Sequence, residues 1–149
     1  MTEATKRIMF ICRKSSARSQ MAEGFAKQLG AGWLQAGQIR IYSSGLEASS
    51  VTPEAIAAME AIGIDIREQT SDALADFEAE DFDVVISLCG PGIGPPQAWL
   101  QREVFEAWQL DDPVENPEIF PRVRDEIRGR VKTLLLSLKQ HEYAESRDR

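Results

Sequence analysis

Strand-like and helix-like segments alternate along this 149-residue chain, and that alternation predicts an α/β protein: a parallel sheet with helices on both faces. Three observations carry the prediction. Ile8-Met9-Phe10-Ile11 is a short continuous apolar run, the mark of a strand buried on both sides. Met21, Phe25 and Leu29 then recur at helical spacing, with Gly30 as a stop. Val84-Val85-Ile86-Ser87-Leu88 is the most strand-like run of all and leads into Cys89.

The remaining elements fit between these. Ile39-Arg40-Ile41-Tyr42 reads as a strand ended by Ser43-Ser44-Gly45. Thr52-Pro53 is a helix start, a capping threonine with proline at the first helical position. Ile56, Met59 and Ile62 share its apolar face, and Gly63 ends it. Ile64-Asp65-Ile66 is a short extended connector, and Thr70-Ser71-Asp72 opens a short helix. The five acids from Asp76 to Asp83 read as solvated surface. Gly90 to Pro96 is a loop by composition. A short helix is expected around Trp99 to Glu103 and a short strand around Phe105 to Trp108. Ile119, Val123, Ile127, Val131, Leu134 and Leu138 form the stripe of a long amphipathic helix. Residues 141–149 are polar and are expected to fray, and His141 there is given no role.

Length and composition narrow the class. Residues 1–149 suit a single domain, and a chain of this size buries roughly 68–70% of its unfolded surface, enough to fold without staples. The net charge of −7 argues against nucleic-acid or anionic-membrane partners. Two cysteines and one histidine exclude a cysteine/histidine zinc cage and a disulfide framework, so no metal is expected. No apolar run approaches a signal-peptide core or a membrane span. The expected setting is a reducing cytoplasm, where both cysteines stay thiols unless chemistry oxidises them.

In open α/β sheets, ligands sit beyond the carboxyl ends of the strands. Cys12 and Cys89 both fall at strand ends. If those strands are neighbours, their ends lie about 4.8 Å apart, close enough for a disulfide after modest loop movement. The loop after the first strand reads Cys12-Arg13-Lys14-Ser15-Ser16-Ala17-Arg18-Ser19. A loop curling into a helix N-terminus aims several backbone N–H groups at one spot, and the helix dipole adds positive potential there. Arg18 supplies a planar fork for an oxyanion. The same surroundings favour a thiolate over a thiol. Lys6, Arg7, Arg13, Lys14 and Arg18 face only Glu3 in charge over the first eighteen residues, which reads as a local anion-attracting patch.

The run CRKSSARSQMAEGF from Cys12 to Phe25 resembles the low-molecular-weight tyrosine phosphatase superfamily, and within it the arsenate reductases. The likeness extends to Tyr42-Ser43-Ser44-Gly45-Leu46, to Thr70-Ser71, to Asp83–Gly90 and to Phe105–Pro113. The last two are most similar to the cyanobacterial type linked to glutathione and glutaredoxin. The resemblance implies a four-stranded parallel sheet flanked by helices. It implies Cys12 as nucleophile, Arg18 as oxyanion-binding arginine and Ser19 as the hydroxyl that holds the thiolate. It implies Asp112, before Pro113, as general acid and Cys89 as second redox cysteine. Arsenate would be reduced to arsenite, leaving a Cys12–Cys89 disulfide for an external thiol, glutathione with glutaredoxin or thioredoxin, and no bound cofactor.

Three positions depart from the pattern. The cyanobacterial type has a further cysteine where Pro91 stands, so an external thiol must act on Cys12–Cys89 or on the arseno-adduct directly. Ser15 stands where asparagine is frequent, and Ala17 where a loop cysteine is common. The alternative is hydrolysis of phosphomonoesters through a phosphocysteine, which needs only Cys12, Arg18 and Asp112. The tyrosine phosphatases of the family usually follow Asp-Pro with two tyrosines, whereas Val114 and Glu115 stand here. A non-catalytic phosphate- or arsenate-binding module is the third reading.

Overall fold

The structure, a computed structural model, describes residues 5–14, 16–90 and 94–147, with side chains described through Lys139. Its chain order is β1 (Lys6–Cys12), α1 (Arg18–Leu29), α2 (Ala31–Gln35), β2 (Ile39–Gly45), α3 (Pro53–Glu60), β3 (Val84–Ser87), α4 (Gln97–Leu100), β4 (Val104–Ala107) and α5 (Phe120–Arg147). Short 3-10 turns occupy Leu74–Asp76, Ala79–Asp81 and Pro117–Ile119.

The four strands form one parallel sheet in the order β2-β1-β3-β4. β1 is therefore central: Phe10 pairs with Ser43 on one side and with Ile86 on the other. The chain leaves β1 toward β2 and later returns on its far side to add β3. The strand order thus switches direction beside β1, where such sheets open a crevice at their carboxyl ends. Cys12 is the last residue of β1.

Two apolar clusters sandwich the sheet. Ile8, Phe10 and Cys12 point into the larger one with Ile41, Val84 and Ile86. Helices α1, α3 and α5 cover it through Met21 and Phe25, Ala55 and Met59, and Val123, Ile127 and Val131. Met9, Ile11, Val85 and Cys89 point the other way, into a cluster closed by Leu74, Ala79, Phe82 and Trp99. That face is covered by two 3-10 turns and the single turn of α4. Helices on both faces were expected; the cover is unequal, because the three long helices gather on one side.

Several local expectations shift. β2 runs on through Ser43 and Ser44 to Gly45, because both serines are buried in the sheet and Ser43 donates to Glu23. α3 is capped by Thr52, whose hydroxyl accepts from the Ala55 N–H at 3.3 Å. It buries Ala55, Ala58 and Met59 and leaves Ile56 half-buried; Ile62 lies past its end and Gly63 makes the turn at φ +83°. The helix expected to open at Thr70 begins at Leu74 as a 3-10 turn, because the Thr70 hydroxyl bonds the Asp72 carboxylate instead of capping. α4 sits a little earlier than Trp99 to Glu103. α2 was not expected; it continues from Gly30 without an apolar stripe of its own. α5 extends past His141, where fraying was expected, to Arg147. Pro91 and Ser15 lie outside the described residues.

Gly24 shows why one small residue is needed. A Cβ there would meet Ile66 Cγ2 at 2.8 Å and Met59 Cε at 3.1 Å. α1 can therefore lie flat against the α3 region, and its first turn is fixed where β1 ends.

Candidate active site

Residues 13–17 bridge β1 and α1, and the carbonyl groups of Cys12, Arg13, Lys14 and Ser16 are held from outside the loop. The Cys12 carbonyl accepts from Leu46 N–H at 3.0 Å, Arg13 from Glu47 at 3.0 Å and Ser16 from Thr52 at 2.9 Å. The Lys14 carbonyl accepts from the Ser71 hydroxyl at 3.1 Å. In a planar trans peptide the carbonyl and the next N–H point oppositely. With these carbonyls engaged on the flank, the N–H groups of Arg13, Lys14 and Ala17 are directed to the other side. That side is a cleft of about 160 Å³ lined by Cys12, Arg13, Lys14, Ser16, Ala17, Arg18, Asp112, Val114 and Glu115. α1 starts at Arg18 with no side-chain cap from Ala17 and no acid in its first turn, so its N-terminal potential is open to an anion.

The thiol of Cys12 lies 2.9 Å from the Ser19 hydroxyl, and both groups are buried. An O–H at that distance can donate to a charged sulfur. Arg18 is buried, yet its guanidinium reaches the cleft. Nη1 donates to the Leu110 carbonyl at 3.2 Å, and Nη2 stands 3.5 Å from Asp112 Oδ2. Asp112 is half exposed. Its other oxygen accepts from the Val114 N–H at 3.0 Å, so it shapes the turn at Pro113 while its carboxyl faces Arg18. A buried thiol, a guanidinium fork and a carboxyl group thus border one small space.

The five-base patch divides. Arg13, Lys14 and Arg18 line the cleft, but Lys6 and Arg7 begin β1, roughly 20 Å away along a seven-residue strand. Lys6 pairs with Glu103 at 3.4 Å, and the Arg7 N–H donates to Asp83 at 3.0 Å. Asp83, expected on a solvated surface, therefore has a partner in the sheet.

Cys89 lies just past β3, the neighbour of β1, and both cysteines are free and buried. Adjacent strand ends hold the two thiols, yet they lie on opposite faces of the sheet. The Cys89 Sγ contacts the Ile11 carbonyl at 3.9 Å, one residue short of Cys12. Burial pushes its thiol up from the ordinary value. A Ser87 hydrogen bond opposes that push, Cys12 adds to it, and Arg18 and Arg13 oppose it more weakly. Two contributions to the site had no clear signal in sequence. The Leu110 carbonyl holds Arg18 through its backbone, which side-chain identity does not report. Gly90, at φ +93°, supplies a backbone turn beside Arg18 that side-chain-bearing residues rarely adopt; only its place after Cys89 hints at this.

The sequence profile of low molecular weight phosphotyrosine protein phosphatase matches residues 7–144. The chain belongs to that family. It is 52% identical over 134 residues to the glutaredoxin arsenate reductase of Synechocystis, covering 89% of this chain and 98% of that protein. It is 41% identical over 135 residues to the arsenate reductase of Bacillus subtilis, covering 85% and 93%. A solved arsenate reductase in the phosphate binding state superposes with a TM-score of 0.81 at 51% identity, over 89% of this chain and 98% of that one. The resemblance read from Cys12–Phe25 is borne out, and so is the four-stranded parallel sheet with flanking helices. No helix among the described residues is long and apolar enough to cross a membrane.

Proposed function

We propose that this member of the family reduces arsenate to arsenite, with Cys12 as nucleophile and Cys89 as second redox cysteine. The observation that carries the reading is the cleft in which Cys12, held at 2.9 Å by Ser19, shares one wall with Arg18 and faces Asp112. The Arg13, Lys14 and Ala17 N–H groups and the Arg18 fork bind three oxygens of the anion. The Cys12 thiolate attacks arsenic. Asp112 gives its proton to the departing hydroxide, which leaves as water. The Cys89 thiolate then attacks the Cys12 sulfur. The S–As bond breaks with its electron pair passing to arsenic, arsenite leaves, and two thiols have become one disulfide. To do this, Cys89 must leave the apolar cluster it occupies in the reduced protein.

An external thiol restores both cysteines. The Synechocystis relative is named for glutaredoxin, and Pro91 in this chain supplies no third thiol. Glutathione with glutaredoxin, or thioredoxin, therefore acts directly on Cys12–Cys89 or on the arseno-adduct, in a reducing cytoplasm. The phosphatase reading rests on one specific observation: Cys89 is absent from the cleft lining, so Cys12, Arg18 and Asp112 suffice there for phosphoester hydrolysis.

Arsenite production by the purified protein tests the two readings. It would be followed with each thiol system and with Cys89→Ser, alongside hydrolysis of a chromogenic aryl phosphate. Arsenite from one donor system, lost in Cys89→Ser, is the expected result and names the donor. No arsenite with any donor, beside brisk hydrolysis untouched by Cys89→Ser, would replace the reductase with the phosphatase.

A further inference from the structure

Consecutive acids at Asp111 and Asp112 point in different directions. Asp112 faces Arg18 across the cleft at 3.5 Å. Asp111 Oδ2 turns outward and accepts from Arg122 Nη2 at 2.8 Å. Arg122 stands in the first turn of α5, and its Nη1 lies 3.9 Å from Glu126 one turn along. The helix beneath is firmly seated, since Phe120, Val123, Ile127 and Val131 are all buried in the larger cluster. One face of this turn is core, and the other carries the arginine that meets the loop.

Arg18 makes the other side-chain ties to this segment, to the Leu110 carbonyl and to Asp112 itself. An oxyanion in the cleft competes for that same guanidinium. Substrate binding therefore draws Arg18 away from the loop at the moment Asp112 is needed above the leaving oxygen. Among the described residues, Arg122–Asp111 is the remaining ion pair that fixes the loop to the helices.

We propose that Arg122 is a positioning residue, holding Asp111 so that Asp112 stays over the cleft when Arg18 turns to the substrate. This rests on the reading of Asp112 as the general acid. The pair is exposed, so its loss is worth a modest factor. Arg122→Ala and Asp111→Asn should each lower kcat roughly two- to five-fold with KM for arsenate little changed. The double variant should be no worse than either single one, and Arg122→Lys should recover most of the loss.

The decisive comparison uses Asp112→Asn as background. There Arg122→Ala should cost nothing further, because the residue through which it acts has gone. A full additional loss in that background, or an unchanged kcat for Arg122→Ala beside an intact effect of Asp112→Asn, overturns the positioning role alone. An unchanged kcat for Asp112→Asn removes the acid and with it the positioning role. Thermal unfolding of each variant separates a loosened fold, which would lower Tm in step with kcat, from a misplaced loop, which would not.

Discussion

Cys12 and Cys89 follow neighbouring strands, yet the structure treats their surroundings differently. Cys12 ends a strand whose inward residues pack beneath three long helices, with Phe10, Phe25, Met21 and Ile127 wholly buried. Cys89 lies on the opposite face, under Leu74 and Ala79 from 3-10 turns of three residues each and Trp99 from one helical turn. Aromatic edges do much of the closing there. Tyr42 meets Phe82 at 5.2 Å and 87°, and Phe82 meets Trp99 at 5.3 Å. The period-two alternation of strands produces this split from sequence neighbours. The proposed nucleophile needs a fixed geometry and sits against the continuous helical cover. The proposed second thiol must move and sits under short pieces with few backbone bonds to break.

The largest test of that contrast is the chemistry itself. With no external thiol, the wild-type chain holds the two electrons for one arsenite. It should release a single equivalent and stop as a disulfide. Cys12→Ser and Arg18→Ala should abolish even that, with losses of roughly a thousand-fold or more. Cys89→Ser should form the Cys12 adduct and release no arsenite, as intact-mass and arsenite measurements would show. If Cys89→Ser releases arsenite as readily as wild type without a thiol, the division of labour between the faces is wrong.

Stability should differ as well. Ile127→Ala removes a wholly buried side chain that helix α5 cannot easily collapse around, and should cost about 3–5 kcal/mol in denaturant unfolding. Leu74→Ala lies in a short turn free to relax, and should cost about 2 kcal/mol. Amide exchange sharpens the same point. Amides of α1 and the α5 segment from Val123 to Leu135 should exchange near the global unfolding limit, and those of Leu74–Asp81 through smaller openings. Equal costs and equal protection would show that the thinner cover is as firm as the thicker one.

The sequence made one face far more legible than the other. Apolar residues at helical spacing revealed α1 and α5, and continuous apolar runs revealed the central strands. The loop between β1 and α1 was legible because Cys12, Arg18 and Ser19 stand at a strand-to-helix junction. The second face was harder to read. Leu74, Ala79 and Phe82 are buried without any repeating pattern, amid acids that read as plain surface. Topology and register decided the rest: the sequence left open whether β1 and β3 are neighbours, which the sheet order β2-β1-β3-β4 shows, and the opposed faces of Cys12 and Cys89 depend on where β3 begins, one residue either way. The ties that hold the loop, through the backbones of Leu46, Glu47, Thr52 and Leu110, leave no trace in side-chain identity.

The pH response of Cys89 gives the finest test of the thinner face. Burial raises this thiol above its ordinary value of 9.0, against the weaker pull of Ser87 and the two arginines. The folded chain then holds the Cys89 proton more tightly than the unfolded chain does. The resulting stability is intact below the unfolded value and is lost as pH rises through the folded one. Denaturant midpoints should therefore fall above about pH 9, and Cys89→Ala should flatten that fall. Alkylation should report the same state, with Cys89 lagging a free cysteine peptide at neutral pH and gaining as the solution becomes more alkaline. Binding phosphate in the cleft should slow alkylation at Cys12 and, by offsetting the Arg18 and Arg13 charges that oppose the push on Cys89, should move the Cys89 profile, if at all, to higher pH. A Cys89 rate that matches the free peptide at pH 7 would mean that its cover opens readily in the resting protein, and that burial of this thiol is not what keeps it protonated.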